Sequence, residues 1–147
     1  MQLRKATERD VDDYIEIEKS IGKTKLYSQT LTHEEAIEEL SKTEVFFIVE
    51  EDRIVGQIAY EMKGKNHAYL SGICIKPDFQ NRNLASQALK EILEMLKGVE
   101  IIDLVIHPEN IKSIKLVESF GFVKAERVEN YFGDGEPRVR YILKKQF

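Results

Sequence analysis

The residues best suited to chemistry stand where an apolar run gives way to a helix-like segment. There the chain reads IKPDFQNRNLASQAL, residues 75–89, and a polar stretch leads directly into helical apolar spacing. Because free backbone N–H groups at a helix start attract anions, this junction could hold a phosphate. Asn81 or Asn83 could equally serve as an ordinary helix cap. No glycine lies between Gly72 and Gly98, and neither Gly-Lys-Ser/Thr nor Gly-x-Gly-x-x-Gly occurs, so the two glycine-rich phosphate motifs are excluded.

Cys74 is the only cysteine, and it stands inside an apolar run. It can form neither an intramolecular disulfide nor a cysteine-based metal site, and a single thiol suits a reducing compartment. We therefore expect a cytoplasmic protein without a metal cofactor.

Composition narrows the class of protein further. With 147 residues, 42% apolar and 33% charged, the sequence predicts one soluble globular domain over residues 1–147. No window approaches eighteen apolar residues, and the first ten residues lack a secretory signal, so we expect no membrane contact. The net charge is −4, and no dense basic stripe is present, so we expect no nucleic-acid partner.

Hydrophobic spacing predicts eleven elements in the order β-α-α-β-β-β-α-β-α-β-β. Capping boxes open the first two helices, which run to about Ser20 and through Leu40. These boxes are Thr7 with Asp10 and Thr32 with Glu35. The other predicted elements are a strand in 2–7, two strands in 44–62 around Glu51–Asp52–Arg53, a strand at 67–75, a helix at 84–96, a strand at 101–106, a helix from Asn110 to Gly121, and strands in 122–132 and 137–145 around the turn 133–135.

The order of these elements predicts the fold class. A strand-helix-strand unit at residues 67–106 implies a parallel, right-handed crossover within an otherwise antiparallel sheet. We therefore expect an α/β protein of the α+β type, with about seven strands in a mixed, mostly antiparallel sheet and about four helices.

The chain resembles the GNAT superfamily of N-acetyltransferases over essentially its whole length. Three segments carry the resemblance: ICIKPDFQNRNLASQAL is similar to the family's strand and Gln/Arg-x-x-Gly-x-Gly/Ala loop, LVIHPENIKSIKLVESFGF to its second motif, and ENYFGDGEPRVRYILKK to its closing hairpin. The resemblance implies the GNAT-like three-layer fold and acetyl-CoA as cosubstrate. It also implies an amine acceptor, either a small molecule or a peptide, and it allows a homodimer as well as a monomer.

The resemblance also implies which residues bind the coenzyme. Asn83 stands at the main glycine position, and Asn is among the few residues that adopt a left-handed conformation at modest cost. Arg82 adds positive charge beside the phosphates. Cys74 is expected to pack rather than act as a nucleophile, because the family transfers acetyl directly from thioester to amine. The implied coenzyme-binding residues are Ile73, Cys74, Ile75, Gln80, Asn81, Arg82, Asn83, Leu84, Ala85, Ser86, Asn110 and Val117.

The acid and base found in many relatives are missing at their usual places. Val117 stands where a tyrosine protonates the leaving thiolate, and Val105 where ribosomal-protein alanine acetyltransferases carry a glutamate base. Tyr69 aligns with the glutamate of histone acetyltransferases. Replacement catalytic groups are Tyr69, Tyr131, His107, Glu61 and His67, each of which also has an ordinary structural interpretation. Tyr27 is expected to line the acceptor mouth.

The missing base bears on the choice of acceptor. General acid or base assistance is worth about 10²–10⁴ in rate, so its loss predicts a slower enzyme rather than an inactive one. An α-amine with a pKa of about 7.7–8.0 is roughly a tenth neutral at pH 7, whereas a lysine amine with a pKa of about 10.4 is almost entirely charged. The sequence therefore favours a low-pKa or small-molecule amine over a protein lysine. Two alternatives stay open: a catalytically weak or inactive coenzyme A or acyl-CoA binding module, and an interaction domain that binds no coenzyme.

Overall fold

The computed structural model describes residues 1–30 and 32–145, and a single mixed sheet runs through it. Over these residues the sheet has seven strands in the order β1-β2-β3-β4-β5-β7-β6, and four α-helices cover it. The strands are β1 Gln2–Lys5, β2 Glu44–Glu50, β3 Arg53–Gly64, β4 His67–Ile75, β5 Ile101–Ile106, β6 Val123–Val128 and β7 Arg138–Lys144. The helices are α1 Val11–Ser20, α2 His33–Lys42, α3 Leu84–Met95 and α4 Ile111–Ser119. The predicted element order and fold class are confirmed.

The helices form one layer on each face of the sheet. Residues of α1 and α2 pack with Phe47, Ala59 and Cys74 on one face. Residues of α3 and α4 pack with Ile58 and Ile102 on the other. Successive strand residues point to opposite faces, so each central strand contributes to both cores. No helix among the described residues is long and apolar enough to cross a membrane.

The pairing of β4 with β5 is parallel and is the feature that positions the site. All other neighbouring strands are antiparallel, and α3 forms the crossover between these two. The strand-helix-strand prediction for residues 67–106 is therefore confirmed.

The last two strands differ from the predicted hairpin. The strand expected in 122–132 ends at Val128, and a loop rather than a tight turn connects it to β7. Asn130 adopts a left-handed conformation, with φ of 52°, and its Oδ1 accepts a 2.6 Å hydrogen bond from the Gly135 N–H. This side-chain bond closes the loop across five residues, so the chain leaves the strand earlier than its apolar pattern indicates.

Candidate active site

The strands β4 and β5 separate after three paired residues. Their pairing begins at His67 with Ile101 and ends at Tyr69 with Asp103, although β4 continues to Ile75. A register shift of β4 against β3 follows immediately, between the pairs that contain Leu70 and Gly72. Because such a bulge bends a strand, β4 turns away from β5 at this point and leaves a wedge between them.

A cavity of about 580 Å³ fills this wedge. Its walls come from the separated ends of β4 and β5, the first turns of α3 and α4, the loop between α1 and α2, and the loop between β6 and β7. Its volume lies within the range of about 300–1,000 Å³ that holds cofactors and small substrates. The cavity is therefore large enough for a ligand that enters between the two strands.

The start of α3 borders this cavity with two left-handed asparagines. Asn81 has φ of 65° and Asn83 has φ of 60° with ψ of 20°. The Asn83 side chain makes no capping bond, and the first helical hydrogen bond runs from the Gln87 N–H to the Asn83 carbonyl, at 3.0 Å. In the described chain no protein acceptor bonds the N–H groups of residues 84–86. Free amides at the positive end of a helix dipole form an anion site, whereas an ordinary cap would occupy one of them.

Eleven of the twelve predicted coenzyme residues line the cavity. They are Ile73, Cys74, Ile75, Gln80, Asn81, Asn83, Leu84, Ala85, Ser86, Asn110 and Val117. The Gln80 side chain donates a 3.0 Å hydrogen bond to the Ile75 carbonyl and so ties the loop back to the end of β4. Asn110 caps α4, because its Oδ1 accepts from the Ser113 N–H at 3.3 Å.

Arg82 is the predicted residue that does not line the cavity. Its guanidinium carbon lies 5.1 Å from the centre of the Phe79 ring, and that of Arg53 lies 4.9 Å from the same centre. Phe79 itself lines the cavity, as does Lys112 in the first turn of α4. Arg82 and Arg53 therefore stand outside the cavity wall, whereas Lys112 and Arg138 are positive side chains that line it.

Apolar side chains occupy the positions of the missing acid and base. Val117 is fully buried and lines the cavity, and Val105 lines it as well. Neither can donate or accept a proton. Proton transfer in this cavity must therefore use another residue, or water.

Of the replacement catalytic residues, Tyr69 lines the cavity. Burial raises the pKa of its hydroxyl, and the neighbouring Tyr131 raises it further. Glu61 lies on β3, outside the cavity wall, with its carboxylate 2.8 Å from the Lys63 ammonium. Of Tyr69 and Glu61, Tyr69 is the one placed to contact a ligand in the cavity.

His107 also lies outside the cavity wall, and both of its ring nitrogens are occupied. Its Nδ1 accepts from the Glu109 N–H at 3.0 Å, so Nε2 carries the proton and donates to Glu136 at 2.7 Å. This geometry gives His107 a structural function, the attachment of the loop before β7 to the end of β5.

A smaller groove of about 300 Å³ adjoins the cavity and shares Tyr69 and Val105 with it. At its floor the buried Asp103 carboxylate bridges His67, at 2.6 Å, and Arg140, at 2.7 Å. Tyr131 lines this groove as well. His67 and Tyr131 therefore lie beside the cavity, on the side away from the anion site.

Sequence reasoning missed a buried polar cluster behind the cavity. Glu18 on α1 is 2% exposed and Gln57 on β3 is 1% exposed. The Gln57 Nε2 donates a 3.2 Å hydrogen bond to the hydroxyl of Tyr27, which lines the cavity. Burial raises the pKa of the Glu18 carboxyl to about 7, and the neighbouring hydroxyls of Tyr14 and Tyr27 oppose the rise. The signal was available in the sequence, because Glu18 stands in the apolar stripe of α1.

Comparison with known proteins connects this geometry to a family. The profile of the Acetyltransferase (GNAT) family matches residues 10–122. A ribosomal protein bS18-alanine N-acetyltransferase of Salmonella typhimurium is 35% identical over 69 residues, which are 46% of this chain and 47% of the relative. The L-amino acid N-acetyltransferase AaaT of Escherichia coli is 28% identical over 75 residues, 47% of this chain and 46% of that protein. The chain spans about half the length of the curated relatives it matches.

Solved structures share the whole fold. The yncA protein of Salmonella typhimurium, whose structure contains its cofactor acetyl-CoA, superimposes with a TM-score of 0.81 at 16% identity. The superposition covers 100% of this chain and 95% of yncA. The family profile extends over more than three quarters of the sequence, including the α3 loop and the start of α4. The chain therefore belongs to the GNAT family of acetyltransferases.

Proposed function

We propose that this protein is an N-acetyltransferase that moves the acetyl group of acetyl-CoA to a primary amine. The amine attacks the thioester carbon directly, a tetrahedral intermediate forms, and the C–S bond then breaks to release coenzyme A. The observation that carries the proposal is the left-handed Asn83, which leaves the N–H groups of residues 84–86 free beside the wedge-shaped cavity.

Different lining residues bind different parts of the coenzyme. The N–H groups at the start of α3 hold the pyrophosphate, with Arg82 and Lys112 supplying charge at the rim. The β4 segment Ile73–Ile75 has no strand partner on its β5 side, so its backbone groups can bond the pantetheine arm. Val117 packs against the thiol end. Asn110 contacts the coenzyme while it caps α4.

The acceptor is an α-amine rather than a lysine side chain. An α-amine is roughly a tenth neutral at pH 7 and needs little help to lose its proton, whereas a lysine amine needs a strong base. Val105 and Val117 provide no base at the usual positions. The relatives named for alanine and for L-amino acids support the same class of acceptor.

The test is a thiol-release assay with acetyl-CoA and a panel of amines, preceded by calorimetric titration with coenzyme A. The panel contains an alanine-starting peptide, free L-amino acids, a polyamine, an aminoglycoside and Nα-acetyl-lysine. We expect coenzyme A to bind and thiol release to be fastest with the α-amines. Equal turnover of Nα-acetyl-lysine and the α-amines at pH 7 would contradict the acceptor class.

A coenzyme A or acyl-CoA binding module is the second candidate. The buried Val117 and the cavity-lining Val105 favour it, because both usual proton-transfer positions are apolar. Coenzyme binding without thiol release for any amine of the panel would support this module. The absence of any coenzyme binding would reject both functions.

A further inference from the structure

The hydroxyl of Tyr27 stands where the cavity meets the separated part of β4. A Cβ atom added at Gly72 would lie 3.3 Å from this hydroxyl and 3.3 Å from the Gln57 Nε2. Gly72 directly precedes the Ile73–Ile75 segment that lines the cavity, so the Tyr27 hydroxyl lies against the start of that segment. It is a polar group next to the position at which the proposed function requires the thioester.

Behind Tyr27 lies Glu18, which has the features of a proton acceptor rather than a structural ion pair. Its Oε2 has no hydrogen-bond partner, and neither has the Oε1 of Gln57. Two buried acceptor oxygens near Tyr27 therefore lack a donor, and a proton on the Glu18 carboxyl would remove one of these unpaired acceptors. An uncompensated buried carboxylate is costly, so the cluster is poised to take up a proton.

The surroundings of Glu18 carry no positive charge among the described residues that act on it. The groups that face it are Tyr14 on its own helix, Tyr27 and the backbone of Thr30 in the following loop, Glu39 on α2, and the Cys74 thiol on β4. Glu39 raises the pKa of Glu18, as burial does. A carboxyl with a pKa of about 7 is half ionised at neutral pH, which is the range in which a general base is most effective.

We propose that Glu18 receives, through the hydroxyl of Tyr27, the proton that the acceptor amine loses as it attacks the thioester. The inference rests on the proposed function. As the C–N bond forms, an ammonium proton passes to the Tyr27 oxygen while the Tyr27 proton passes to the Glu18 carboxylate. Collapse of the intermediate then breaks the C–S bond, and the proton on Glu18 returns through Tyr27 to the departing thiolate or to water.

This relay is compatible with the environment of Tyr27. Burial raises the pKa of its hydroxyl well above the ordinary value, and the nearby Glu18 raises it further. A free tyrosinate is therefore not formed at neutral pH. The relay does not need one, because Tyr27 gives up its own proton as it receives another. Tyr27 is the residue that touches the substrate, and Glu18 acts through it.

The test compares the pH dependence of kcat/KM in the wild type, Glu18→Gln and Tyr27→Phe, with an alanine-starting peptide as acceptor. Below pH 7 the wild type needs two deprotonations, of the amine and of Glu18, so log kcat/KM should rise with a slope of 2. In either variant the slope should fall to 1, and kcat/KM at pH 7.5 should drop by about 10²-fold. The double variant should lose no more than the single ones, because the two residues act as a unit.

The matched control is Glu16→Gln on the same helix, where the exposed Glu16 pairs with Lys76 at 3.2 Å. This variant should keep the wild-type profile. Thermal melting and calorimetric titration with coenzyme A, neither of which involves the acceptor, should show that Glu18→Gln folds and binds normally. A ¹³C-glutamate NMR titration should show a carboxyl with a pKa near 7 that disappears in Glu18→Gln.

Each remaining outcome identifies what has failed. If Glu18→Gln keeps the slope of 2, or loses activity only in proportion to lost folding or coenzyme binding, the relay is wrong while the proposed function stands. A wild type that releases no thiol with any amine overturns both.

Discussion

At the scale of single residues, we propose that Asn83 replaces the glycine of the family's phosphate loop. The physical requirement is a positive φ at the residue before α3, so that the following amides stay free. Asn meets it because its short polar side chain tolerates the left-handed region, which most side chains enter only at a cost of about 1–2 kcal/mol. The sequence allowed this prediction because the requirement is local and depends on one residue type at one position.

Replacement of Asn83 tests that requirement. An alanine backbone is strained at φ of 60°, by about 1–2 kcal/mol. Asn83→Ala should therefore lower the free energy of unfolding and weaken coenzyme A binding by about this amount in total. Asn83→Gly is the control and should keep or strengthen binding, because the Asn83 side chain makes no capping bond to lose. Urea unfolding and calorimetry measure the two parts. If both variants match the wild type, the left-handed turn has no energetic role.

The raised pKa of Glu18 leads to a second prediction at this scale, on how the free energy of unfolding changes with pH. Burial raises the pKa of its carboxyl in the folded protein to about 7. The stability it contributes is therefore fully present below about pH 4, the unfolded value, and is lost as the pH rises through 7. Glu18→Gln should stay neutral throughout. Its advantage over the wild type in urea unfolding should thus grow by on the order of 1–3 kcal/mol from pH 4 to pH 8.

The exposed Glu16→Gln variant provides the reference for this measurement, since the Glu16 side chain is largely in solvent. Its stability difference from the wild type should change little over the same range. A Glu18→Gln curve that parallels the wild type would mean that the carboxyl titrates at its ordinary pKa.

At the scale of elements, the order and most boundaries were predictable, because hydrophobic period and caps are local signals. Two features were not. The strand expected in 122–132 ends at Val128 because the Asn130 side chain closes the next loop, a contact that the alternating pattern does not encode. The apolar stripe of α1 includes Glu18, but the spacing does not encode the proximity of its carboxyl to Tyr27, which lies in the loop after that helix.

A substitution at Gly72 tests how the bulged part of β4 positions Tyr27, which lies in the loop between α1 and α2. A methyl group at Gly72 would lie 3.3 Å from both the Tyr27 hydroxyl and the Gln57 amide, closer than ordinary contact. Gly72→Ala should shift these side chains and lower kcat by about tenfold or more, because small misplacements of reacting groups are costly. Coenzyme A affinity, set mainly at the α3 loop, should change less. Calorimetry and thiol release separate the two effects.

The matched control is Gly64→Ala at the end of β3, the strand next to β4, where an added Cβ meets nothing within 4 Å. It should leave kcat unchanged. If Gly72→Ala also leaves kcat unchanged, the Tyr27 hydroxyl has no function at its observed position.

At the scale of the whole molecule, the proposed function requires one opening in the sheet to serve both substrates. The starts of α3 and α4 border it on the coenzyme side, and the loops after α1 and β6 border it opposite. Two contacts connect distant segments around it: Lys25 pairs with Glu109 at 2.7 Å, and His107 with Glu136 at 2.7 Å. An acceptor must enter through this mouth and meet a base that, in our proposal, has a pKa near 7.

This arrangement predicts how acceptor preference changes with pH. A base with a pKa near 7 cannot deprotonate a lysine amine efficiently, so each acceptor should react according to its own neutral fraction. From pH 7 to pH 9 an α-amine gains about sevenfold in neutral form, and a lysine amine gains about a hundredfold. The ratio of kcat/KM for an alanine-starting peptide to that for Nα-acetyl-lysine should therefore fall about fourteenfold over this range. A ratio that stays constant with pH would show that the enzyme deprotonates both amines itself, which a base with a pKa near 7 could not do.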